Sequence, residues 1–168
     1  SDQPFMAITL VGVLEWASRF AGGEDAARCV LRQAARLLAD EGVIIIAIEN
    51  QLGLKYLAGW PEDHLGATMT GVNDAFRPGE PRTYGLRELT ALVTAGGLPH
   101  HAVYAPWPDY KFPRTVVTPS GLADREWSAD LAALVAATPV DDPQEPVLPV
   151  FSLEQALGLA AVNGLLPD

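Results

Sequence analysis

Two apolar runs, Phe5 to Leu14 and Val43 to Ile48, bracket a single amphipathic stretch, and this spacing narrows the possible folds more than any other feature. FMAITLVGVL is interrupted only by Thr9, the composition of a parallel strand covered on both faces. Glu15-Trp16-Ala17 predicts a short helical turn, Gly22-Gly23 breaks the pattern, and a helix is expected from about Asp25. Val30, Leu31, Ala34, Leu37 and Leu38 recur at helical spacing, with Arg28, Arg32 and Arg36 on the other side. Gly42 stands where a left-handed residue would end that helix, and VIIIAI then supplies a second buried strand. A strand–helix–strand unit with parallel strands follows, so the expected fold class is α/β.

Residues 49–82 are rich in glycine, proline and polar side chains, with a short helix expected over Leu52 to Ala58. A connection of that length usually forms a lid or binding loop. A further helix is expected after Gly85, burying Leu86, Leu89, Leu92 and Val93 and ending at Gly96-Gly97. Strands are expected at His101 to Ala105 and Arg114 to Thr118, joined irregularly because of Pro108 and Pro113. Glu126 to Ala137 is expected to be helical, Pro139 to Pro149 a linker, and Ser152 with Gln155 a capping box for a last helix. The expected domains are 1–122 for the sheet and 123–168 for a helical tail.

With 49% hydrophobic residues in 168, the chain can bury a core, and its net charge of −10 argues against nucleic acid or an anionic membrane as partner. Cys29 is the lone cysteine, which excludes an intrachain disulfide and a cysteine zinc cluster. The first residues lack the basic region of a secretion signal, and a cytoplasmic location is expected. Because an apolar strand begins almost at Ser1, the chain reads as cut. The strand edge at 8–14 is expected to be covered by preceding sequence or by a second copy.

The element order, and the words within it, resemble the second half of class I (Rossmann-like) S-adenosylmethionine-dependent methyltransferases. Ile8 to Trp16, ITLVGVLEW, resembles the family's fourth strand, LRQAARLLADEGVIIIAI its leader helix and fifth strand, and Arg82-Thr83-Tyr84-Gly85 with Ala95-Gly96-Gly97-Leu98 its next capped helix. Ile48 to Tyr56 with Pro61-Glu62-Asp63-His64 and Pro108 to Lys111 is similar to methyltransferases of bacterial surface-polysaccharide and glycosyl-transfer loci. The likeness implies a partial Rossmann-like sheet, strands four to seven, with flanking helices and a helical tail. It also implies S-adenosylmethionine as cofactor and a small-molecule or saccharide acceptor. Two departures stand out: no G-x-G-x-G loop occurs in these residues, so the chain alone is expected to bind cofactor poorly, and Met6 replaces the usual aspartate.

Ligands in open α/β sheets sit beyond the C-terminal ends of the strands, here Gly12 to Trp16 and Glu49 to Gln51. The resemblance implies Leu10, Val11, Gly12 and Glu15 at the cofactor. Glu15 is a candidate for chemistry, although an acid also suits the first turn of a helix. His64 is the candidate general base, since histidine titrates near neutrality and Glu62 and Asp63 precede it; a loop histidine is also an ordinary surface residue. Asn50, Tyr56, Asp63, His64 and Tyr84 are the candidate substrate contacts. No metal is expected, because the adjacent Glu62, Asp63 and His64 rarely converge on one ion, and His100-His101 would point to opposite sides of a strand. The alternatives are a non-catalytic α/β binding or scaffold module and another doubly wound enzyme; neither a G-x-S-x-G elbow nor a phosphate loop is present to favour the latter.

Overall fold

The structure, a computed structural model, describes residues 4–21, 23, 25–124, 128–138 and 143–162. It is mixed α/β, and among the described residues it holds two open sheets of two strands each. The chain divides into two compact units, the first made of 1–51 and 74–101, the second of 52–73 and 102–168. No helix among the described residues is long and apolar enough to cross a membrane.

In the first unit, β1 (Phe5–Val11) pairs in parallel with β2 (Leu38–Ala47), and α2 (Ala26–Leu37) makes the crossover after a 3-10 turn at Leu14–Trp16 and a short α1 (Ala17–Phe20). The register runs Ile8 opposite Ile44 and Leu10 opposite Ile46. Leu10 and Ile46 pack on a core of Leu14, Ala17, Ala27, Leu31, Tyr84 and Val93. The alternate positions face away from it: Val11, Val43 and Ile45 are each more than half exposed, so β1 is not covered on both faces as its composition led us to expect. The reason is that continuous apolarity marks what a strand tolerates, while coverage depends on which layers lie over it.

Gly42 also departs from expectation. The helix stops at Leu37, Leu38 turns directly into extended backbone, and Gly42 lies inside β2 without a left-handed φ. Phe5 faces Leu38 and Ala7 faces Val43, so Met6 alone spans the stretch Ala39 to Gly42, which bulges out of the ladder. A side chain at Gly42 would come within 2.8 Å of the Leu38 side chain, so the glycine serves the bulge. After the return to this unit, α4 (Leu86–Ala95) starts at Gly85 and ends at Gly96, with Gly97 left-handed at φ 95°, as read from the sequence.

The second unit opens with α3 (Leu54–Leu57), inside the short helix expected there. Its strands β3 (Ala105–Trp107) and β4 (Thr115–Val117) pair antiparallel in a sheet of their own. The strand expected at 101–105 therefore begins at its last residue; His100, His101 and Ala102 are exposed polar or small positions with no ladder to hold them. Then come α5 (Pro119–Ala123), capped by the Thr118 hydroxyl accepting from the Gly121 N–H, α6 (Ser128–Ala136) and α7 (Leu153–Val162). Ser152 accepts from the Gln155 N–H at 3.4 Å, the cap its sequence announced. The expected start of α6 at Glu126 and the first residues of the 139–149 linker lie outside the described residues. Two small cores serve this unit: Tyr56, Ala58, Trp60 and Leu153, and Val117, Leu131 and Val135, with Trp107 packed against both.

Candidate functional site

In the first unit the carboxyl ends of β1 and β2 lead into segments that bury polar side chains. β1 ends at Val11, and Gly12 extends the ladder by one bond, its N–H donating to the Ala47 carbonyl at 2.9 Å. Gly12 has φ 61°, the left-handed region that favours glycine, and this turn swings the chain into Leu14–Trp16. Glu15 is thereby completely buried. β2 ends at Ala47, and Glu49, two residues on, is 5% exposed. A carboxylate oxygen of Glu15 and one of Glu49 lie within 4.8 Å of each other.

A third segment runs beside this pair. Asn50 and Tyr84 form a parallel bridge, the Gln51 N–H donates to the Tyr84 carbonyl at 3.1 Å, and the Arg82 N–H donates to the Glu15 carbonyl at 2.9 Å. Arg82 is held by Glu88 at 3.0 Å and Asp74 at 3.4 Å, with its guanidinium 5.3 Å from the Tyr84 ring centre. Burial lifts the Tyr84 phenol above the ordinary tyrosine value of 10.0; the Arg82 charge opposes this, and Glu88 and Glu15 add to it. Because the folded state holds that proton more tightly, its contribution is intact below the ordinary value and is lost as pH rises through the lifted one. Urea midpoints measured from neutral pH to about pH 11 should therefore fall less steeply at the alkaline end for Tyr84→Phe than for the parent chain. Equal slopes would contradict this.

The sequence-derived candidates are thus divided between the units. Glu15, Gly12, Asn50 and Tyr84 sit together in the first, where Leu10 is half-buried on the core and Val11 is exposed. Tyr56, Asp63 and His64 lie in the second. There Tyr56 is buried at 2% exposure, and His64 is half-buried in the turn closed by the Gly66 N–H donating to the Glu62 carbonyl at 2.8 Å. Asp63 takes Lys55 at 3.0 Å and Lys111 at 3.1 Å. Sequence reasoning places Glu49 at the ligand end of the sheet without assigning it a role, and assigns none to Thr83, Arg82, Lys55 or Lys111. The signal for Glu49 was its place directly after a buried strand; Lys111 and Asp63 are 48 residues apart, and no local pattern announces such a pair.

Set against protein-family models, curated proteins and solved structures, the chain matches none of them.

Proposed function

We propose that the first unit belongs to the second half of a class I S-adenosylmethionine-dependent methyltransferase domain, with the ends of β1 and β2 on the cofactor side. The observation that carries the reading is the Glu15–Glu49 carboxylate pair at the carboxyl ends of a parallel strand–helix–strand crossover. That position is where open α/β sheets receive ligands. Two buried carboxylates within 4.8 Å attract a cationic group and repel a phosphate, so the donor set fits a sulfonium or ammonium better than a dinucleotide. Gly12, without a side chain and in left-handed backbone, leaves room for close approach.

S-adenosylmethionine, when bound, supplies a methyl group activated by positive charge on sulfur. The residues of this chain then have to hold and orient: Leu10, Val11 and Gly12 offer backbone, and Glu15 and Glu49 offer charge. Asn50 and Tyr84 contribute an amide and a phenol that stays protonated at neutral pH. The methyl acceptor in this reading is a small molecule or a saccharide.

Photocrosslinking of methyl-labelled S-adenosylmethionine to an N-terminally extended form tests the reading directly. Label on peptides from 10–16 or 47–51 supports it. Label confined to other peptides would favour the alternative, a non-catalytic α/β binding module.

A further inference from the structure

The second unit contains an ion cluster that fastens one loop onto an aromatic core. The connection between β3 and β4 is closed at its base by the Arg114 N–H donating to the Trp107 carbonyl at 2.8 Å. Beyond that bond, 108–113 makes no ladder contacts. Its charged side chains instead reach the α3 side: Lys111 meets Asp63 at 3.1 Å, and Asp109 meets Lys55 at 3.7 Å. Lys55 also holds both oxygens of Asp63, at 3.0 and 3.1 Å. Its ammonium stands 5.1 Å from the centre of the buried Tyr56 ring, so the same cation meets the loop's Asp109 and an aromatic ring of the core. The shared carboxylate is well shielded, with Asp63 13% and Lys55 19% exposed, whereas Lys111 at the outer end is 42% exposed.

Beneath the cluster the closed arrangement carries a strain of another kind. The indole N–H groups of Trp60 and Trp107 are buried and have no hydrogen-bond partner among the described residues. Both rings belong to the same aromatic core, and Trp107 is the last residue before the loop. A buried donor without an acceptor favours any state that offers it water or a ligand oxygen. The closed loop is thus opposed by the indoles and held by the ions.

We propose that 108–113 is a lid over the Tyr56–Trp60–Trp107 cluster, latched by Asp63 between Lys55 and Lys111 and poised to open. Opening gives a ligand access to the indole donors of this aromatic core, a lining suited to a small molecule that presents hydrogen-bond acceptors along an apolar face. The inference concerns the second unit alone and does not depend on the cofactor reading.

Hydrogen exchange of the Asp109 to Phe112 amides, in low salt and at about 1 M, where the screening length shortens to about 3 Å, tests the latch. In low salt, Asp63→Asn and Lys111→Gln are each expected to exchange these amides roughly tenfold faster than the parent chain, the factor that corresponds to about 1.4 kcal/mol. High salt should accelerate the parent chain and leave the variants little changed. Exchange by Lys111→Gln no faster than that of the parent chain in low salt would overturn the proposal. Acceleration spread equally over α6 and α7 would overturn it too, because the whole unit would then be loosening instead of one loop. Lys111→Gln, at an exposed position, keeps the test valid should Asp63→Asn fail to fold.

Discussion

Leu31→Ala is expected to lower the unfolding free energy of the first unit by about 2–5 kcal/mol, the range for deleting a fully buried leucine side chain. Leu31 has no solvent exposure and belongs to the core that joins α2 to Leu14, Tyr84 and Val93. A neighbouring position sharpens the expectation. A Cβ at Gly96 would stand 2.6 Å from the Leu31 Cβ, a separation that side-chain carbons do not tolerate. Gly96→Ala should therefore also destabilise the unit, by about 1–3 kcal/mol as an overpacking defect. Shortening Leu31 to alanine leaves the offending Cβ in place, so the double variant should show no rescue. Urea unfolding followed by far-ultraviolet circular dichroism measures all three. A loss below about 0.5 kcal/mol for Leu31→Ala, the level of an ordinary surface change, would mean that the core does not close around this side chain.

The second large effect falls on binding. Replacing both Glu15 and Glu49 by glutamine should weaken S-adenosylmethionine binding by an N-terminally extended form by on the order of a hundredfold or more. A unit cation about 4–5 Å from a carboxylate gains about 3–4 kcal/mol at an effective dielectric of 20, and two such carboxylates are removed together. S-adenosylhomocysteine, whose sulfur is uncharged, separates the two cationic groups of the cofactor. If the acids face the sulfonium, the affinity ratio of the two ligands collapses. If they face the amino-acid ammonium, both affinities fall together. Unchanged affinity for both would take the pair out of the cofactor site.

The local signals of this chain were legible and the long-range ones were not. β–α–β order, Gly85 and Gly96 at the ends of α4, and the Ser152 cap all follow from residue type over a few positions, and each stands where the sequence put it. Gly42 misled because a glycine after a helix has two uses, ending the helix or relieving a bulge, and the register of β1 against β2 decides between them. Exposure of Val11, Val43 and Ile45 was hidden for a related reason: an apolar run states what a strand can be packed with, and not what lies over it. At the strand ends, the rule that places ligands there reaches both Glu15 and Glu49, but the resemblance assigns a role to Glu15 alone. The Lys55–Asp63–Lys111 latch had no sequence signature, since its members come from segments that only the folded second unit brings together.

Calorimetric titration of S-adenosylhomocysteine into this chain and, in parallel, into a longer chain that adds a G-x-G-x-G segment at its N-terminus tests the methyltransferase reading most directly. Binding by the longer chain, with little or none by the shorter, is the expected result. Binding by neither would contradict the reading and leave the first unit as an α/β binding or scaffold module.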